Sequence, residues 1–149
     1  MFVLGRVWRL TVFLLIGLVL SVGEGGEDPV QDVVVAVHPG VSVTRLSRNE
    51  LRAIFAMRRR VWPDGTPVRL YVLPDDHPLH RAFCKRILHV YPHQLRRIWD
   101  RNVYSGTGQA PVEVDDVKTL HARIAANPGA IGYLPPEWID EHVKPVEVR

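Results

Sequence analysis

The sequence predicts an α/β domain whose mixed or parallel sheet is flanked by helices, and three observations carry that prediction. Residues 32–38, DVVVAVH, form a continuous apolar run closed by Pro39-Gly40, as expected of a strand buried on both faces at the centre of a sheet. Helix-starting signals then recur between short β-branched runs. The resulting order, β-α-β-α-α-α-β-β, is the alternation typical of layered α/β folds.

Taken in order, Ser47 and Glu50 make an S-x-x-E capping box, with Leu46 and Leu51 placed as a hydrophobic staple. Leu51, Ile54 and Phe55 then share one helical face. Three arginines, Arg58 to Arg60, lead into a Pro63-Asp64-Gly65 turn, and residues 68–73 are β-branched and aromatic enough for a second strand. Asp75-Asp76-His77-Pro78 starts another helix, because Pro78 suits a first helical position. Leu79, Ala82, Phe83, Ile87 and Val90 make its apolar stripe, and Pro92 ends it and opens the next helix, with Leu95, Ile98 and Trp99 inward. Residues 104–111 read as a loop. Asp115 or Asp116 caps a further helix with Val117, Leu120 and Ile124 inward, stopped by Asn127-Pro128-Gly129. A strand over 130–134, a helical turn at 135–137 and a strand over 143–148 complete the chain.

Before this domain lies a targeting signature. Arg6 and Arg9 precede an uncharged run over residues 10–22, and Ser21 and Gly23 stand in small-x-small spacing. The run is short of the roughly 20 apolar residues of a spanning helix. Residues 1–23 are therefore expected to be a signal peptide, with an uncleaved anchor as the alternative and the only expected membrane contact. Residues 24–31 form a linker and 32–149 the domain. The formal charge of +3 contains the two signal arginines; without them 17 Lys+Arg face 16 Asp+Glu, or +1. Nucleic-acid binding loses its electrostatic basis with that change.

The remaining residues exclude several chemistries. The single Cys84 rules out a disulfide framework and a cysteine-rich zinc module and is expected to be a small packing residue. There is no P-loop, no G-x-G-x-x-G and no G-x-S-x-G, and Ser105-Gly106-Thr107-Gly108 lacks the lysine of a nucleotide loop. Asp75, Asp76, His77 and His80 cluster in sequence and offer a metal-binding or enzymatic alternative; His89 and His93 are separated by Pro92, which breaks their helical register. The basic runs, Arg58 to Arg60, Arg81 with Lys85 and Arg86, and Arg96 with Arg97, read as solvated faces. The helix beginning at Pro78 presents its N-terminus to an anion, so Asp76, His77, Leu79, His80 and Arg81 are the candidate ligand-binding residues. No cofactor, metal or catalytic residue is expected.

Residues 46–65, LSRNELRAIFAMRRRVWPDG, resemble the segment of phosphate-binding periplasmic proteins that reads roughly L-s-x-x-x-L-x-x-I-F-x-G-k-x-x-x-W-x-D-G. Residues 129–139, GAIGYLPPEWI, resemble the G-A-I-G-Y-v strand and turn of the same proteins, and residues 33–40 their hinge-proximal strand. The chain is thereby identified as resembling a short, single-lobe member of the phosphate ABC-transporter substrate-binding protein-like group. The resemblance implies one lobe of a type II periplasmic binding protein fold, periplasmic location and a binding rather than an enzymatic role. In that group the lobe supplies an Arg and a Ser-Gly-Thr to phosphate. Here the aligned positions run Leu73-Pro74-Asp75-Asp76-His77-Pro78-Leu79, so no phosphate ligand carries over. The expectation is an exported binding or interaction module that holds phosphate weakly and takes a protein partner or a second copy of itself.

Overall fold

A computed structural model describes residues 31–149. The signal segment read over residues 1–23, and all but the last residue of the linker, lie outside the described residues. Six strands form one sheet: β1 (Val34–Val37), β2 (Arg45–Leu46), β3 (Arg69–Val72), β4 (Val112–Glu113), β5 (Ala130–Leu134) and β6 (Lys144–Val148). Their order is β2-β6-β1-β5-β3-β4. The sheet is mixed. β1 lies antiparallel between β5 and β6, with Val35 opposite both Tyr133 and Val146, while β3 runs parallel to β4 and β5, and β2 parallel to β6. β1 is thus the interior strand that its apolar run predicts. The two-residue strands β2 and β4 escape sequence reading because they are too short to show a period of two.

The first helix, α1 (Arg48–Phe55), starts where the capping box places it. The Ser47 hydroxyl accepts the Glu50 amide at 3.2 Å and the Glu50 carboxylate accepts the Ser47 amide at 2.8 Å. Leu51, Ile54 and Phe55 are buried. The chain leaves α1 through Met57 at φ 59°, a left-handed conformation at the position where the resembled pattern carries glycine.

Trp62 to Gly65 then ties two distant segments together. The Asp64 carboxylate accepts the Thr66 amide at 2.9 Å, Gly65 turns at φ 89°, and the buried Trp62 indole donates to the Gly129 carbonyl at 2.9 Å. That carbonyl also accepts the Arg69 amide. Gly129 itself sits at φ 78°, where a Cβ would lie 2.2 Å from the Pro67 carbonyl oxygen. The W-x-D-G and G-A-I-G-Y stretches are therefore two sides of one contact.

The helix predicted from Pro78 is shorter and wider than its stripe suggests. α2 (Pro78–Ala82) passes directly into a π-helical stretch, Phe83–Leu88, which closes on His89 at φ 54°. Because i→i+5 bonding adds a residue to the turn, Phe83, Cys84 and Leu88 take the buried positions, and Ile87 and Val90 are only half-buried. Cys84 is the packing residue expected of it. In α3 (Pro92–Tyr104), Leu95 and Trp99 face inward, but Ile98 stands on the shoulder of the stripe and is 37% exposed, contrary to its predicted inward position. α4 (Val117–Ala126) is capped by the Asp116 carboxylate on the Thr119 amide and buries Leu120 and Ile124, with Val117 half-buried.

Alternation along β5 sorts the helices onto two faces. A Cβ on Gly132 would meet Ile124 and Leu120 at 2.8 and 3.2 Å, so the absence of a side chain there is what lets α4 close on the sheet. The next residue, Tyr133, points to the opposite face. It stacks on Phe83 at 4.2 Å, which in turn lies 4.6 Å from Phe55.

Candidate functional site

The candidate ligand residues gather at the start of α2, but they do not form an open cradle. Pro78 has no amide hydrogen, and the Leu79 amide donates to the Nδ1 of His77, the N-cap residue, at 3.1 Å. The donors that an anion would need are removed or used at these two positions. Leu79 and His80 are fully buried and belong to the core rather than to a binding face. Arg81 donates from Nη1 to the Asp76 carbonyl at 2.6 Å, folding back over the helix start. Asp76 is exposed, and burial lowers the pKa of the half-buried His77, partly opposed by Asp76.

Beneath this start lies a polar network that the sequence does not announce. The Tyr133 hydroxyl accepts the Leu73 amide at 2.9 Å and meets His80 Nδ1. Since Tyr133 is fully buried and has one proton to give, it donates to His80, which fixes the Nε2–H tautomer of a neutral imidazole. That Nε2 faces Cys84 Sγ at 3.5 Å and the Asp75 carboxylate at 3.7 Å. Burial lowers the His80 pKa to about 4 against the opposing pull of Asp75, raises the Cys84 thiol to about 12, and raises Tyr133 well above its usual range. All three are neutral near pH 7.

Asp75 is held from the other side. Arg96 grips it with two hydrogen bonds, 3.0 and 2.9 Å, and reaches Glu113 at 2.8 Å while lying over the Trp99 ring at 5.1 Å. Hydrogen bonding to Asp75 raises the Arg96 pKa further above its usual value. With His80 neutral, Asp75, Arg96 and Glu113 together carry one net negative charge. A dianion at the start of α2 meets that charge and Asp76.

Nor do Asp75, Asp76, His77 and His80 converge as metal ligands. Asp75 is committed to Arg96, His77 to the Leu79 amide and His80 to Tyr133. Among the described residues, the three ligand groups that do lie within 4.8 Å of one another are Asp140, Glu141 and His142, all exposed. The Ser105-Gly106-Thr107 loop is closed on itself. Ser105 Oγ bonds Thr107 Oγ1 at 2.7 Å, and Arg60 donates to the Thr107 carbonyl at 2.7 Å. Sequence reasoning missed the His80–Tyr133 pair, whose members are 53 residues apart.

No family model matches the sequence, and neither does a curated protein sequence. Solved structures do. A protein described as a phosphate ABC transporter substrate-binding protein, with bound phosphate, from Clostridium perfringens superposes with TM-score 0.65 at 17% identity over 79% of this chain and 45% of that one. An ABC-type phosphate transport receptor from Vibrio cholerae gives 0.60 at 14% identity over 79% and 46%, and PstS from Borrelia burgdorferi 0.60 at 12% over 80% and 47%. The architecture is thus part of a periplasmic binding protein-like fold. At such identities the likeness is one of fold alone, and this chain spans less than half the length of each of those proteins.

Proposed function

We propose that this chain is an exported, non-enzymatic binding or interaction module related in fold to phosphate-binding periplasmic proteins, and that it has no high-affinity phosphate site of its own. The observation that carries the reading is the start of α2. Its first position lacks an amide hydrogen, its second amide is taken by His77, and the adjoining Asp75–Arg96–Glu113 cluster is net negative. A single lobe also gives a ligand one wall where small-molecule sites normally bury most of theirs. The groups best suited to acid–base work, His80 and Tyr133, are closed off from solvent, which favours a structural over a catalytic role for them.

The test is calorimetric titration with inorganic phosphate at low and moderate salt, with the oligomeric state fixed by light scattering. The expected dissociation constant is on the order of 1 mM or weaker, about 4 kcal/mol. Micromolar, salt-resistant phosphate binding by a monomer overturns the reading. Export is tested separately: N-terminal sequencing of the periplasmic product should start near Glu24, and an intact Met1 on a cytosolic product refutes it.

A further inference from the structure

The far end of the same helix holds a second feature, roughly 15 Å from the first for eleven helical residues. Where the π-helical stretch ends, the left-handed turn at His89 swings the chain into α3 and leaves an open cavity of about 490 Å³, lined by Lys85, His89, Val90, Tyr91 and Gln94. That volume lies within the range of small-molecule sites, about 300–1,000 Å³.

Its chemistry is specific. From residue 77 to residue 99 the chain carries five Lys or Arg and four His but no Asp or Glu. Among the described residues Lys85 makes no ion pair, so its ammonium is available to a ligand. At this helix end Arg48 and Arg52 donate to the Ile87 and Leu88 carbonyls at 3.0 and 2.7 Å, adding two guanidiniums to the same positive region. One lining residue, Tyr91, is aromatic. Tyr91 is 57% exposed and its ring is parallel to that of His93, with centroids 5.7 Å apart and planes at 12°. Gln94 has its carbonyl oxygen on the Tyr91 amide, at 2.8 Å, which leaves its amide nitrogen as a donor. His89 keeps an imidazole in a backbone conformation that glycine adopts at less cost, and such retained strain clusters at functional sites.

We propose that this cavity binds a small planar-ring compound bearing a phosphate or carboxylate group, with Lys85 and His89 on the anion and Tyr91 against the ring. The site is independent of the start of α2.

The experiment is calorimetric titration of the full chain with 4-nitrophenyl phosphate, and in separate arms inorganic phosphate and 4-nitrophenol. The aryl phosphate should bind at least about tenfold more tightly than either fragment, because only it engages both the cation and the ring. Lys85→Ala and Tyr91→Ala change exposed residues, so both should keep the parental melting curve while each weakens aryl phosphate binding about tenfold. His77→Ala, at the other end of the helix, should leave it unchanged. The proposal is overturned by equal affinity for the aryl phosphate and inorganic phosphate, by no saturable binding, or by binding indifferent to Lys85→Ala and Tyr91→Ala. Sensitivity to His77→Ala with indifference to Lys85→Ala moves the ligand to the start of α2, and so counts against both this cavity and the proposed lack of an anion site there.

Discussion

Replacing Tyr133 with phenylalanine deletes one atom and strands two polar groups. The hydroxyl is the partner of the Leu73 amide, at 2.9 Å, and of His80 Nδ1, and both residues are fully buried. The vacated space is that of a covalently bound oxygen, too small for a water, whose contact distance to the ring is far longer than a C–O bond. Each orphaned group costs about 1–3 kcal/mol, so Tyr133→Phe should destabilise by roughly 2–6 kcal/mol even though no cavity large enough to matter is made. Urea denaturation followed by circular dichroism reads this as a lower midpoint with unchanged slope. The companion variant His80→Leu removes one of the two stranded groups in advance. The double variant should therefore lose about 1 kcal/mol less than the sum of the singles. A Tyr133→Phe loss under about 0.5 kcal/mol, or strict additivity with His80→Leu, refutes the buried network as described.

Acid should weaken the fold before the carboxylates titrate. Burial pushes His80 down to about 4, below the unfolded value near 6.5, so the unfolded chain binds the extra proton between those pH values. The contribution is complete above about pH 6.5 and falls by up to about 3 kcal/mol as pH drops to 4; stability curves of the parent and His80→Leu should diverge in that window, and parallel curves refute the assignment. Gly129→Ala places a methyl 2.2 Å from the Pro67 oxygen at φ 78° and should cost about 3 kcal/mol or more in thermal unfolding; a loss under about 1 kcal/mol means the Trp62–Gly129 contact yields easily. His89→Gly relieves an exposed left-handed residue and should stabilise by about 0.5 kcal/mol, after the added freedom of the unfolded chain is subtracted; destabilisation shows that the imbalance at φ 54° is compensated by contacts of the ring.

Much of the fold was legible because its signals are local. Ser47 and Glu50 cap the helix that their spacing announces, Asp116 does the same for α4, and Pro92 opens α3. The apolar run ending at Pro39-Gly40 marked an interior strand. What failed to read was whatever depends on partners far along the chain. The Ala82, Ile87 and Val90 positions fitted a 3.6-residue stripe, but the π-helical turn hands burial to Cys84 and Leu88 instead. At the site, Leu79 and His80 were ambiguous, since a residue beside a helix start faces a ligand or the core according to the sheet beneath it. Tyr133 decides that question from β5, and nothing near His80 in sequence foretells it. Lys85 read as part of a solvated face and Tyr91 carried no reading, because the turn that makes a cavity of them needs a left-handed residue with no glycine to mark it.

The placement of β1 also governs when the molecule acquires its structure. Val35 is among the first residues of the domain to be synthesised, yet both of its neighbours in the sheet, Tyr133 and Val146, arrive roughly 100 residues later. Until β6 has emerged, β1 has only one of its two partners. Contacts between residues so far apart in the sequence slow folding. A chain wired in this way cannot complete its central sheet until its last strand is free.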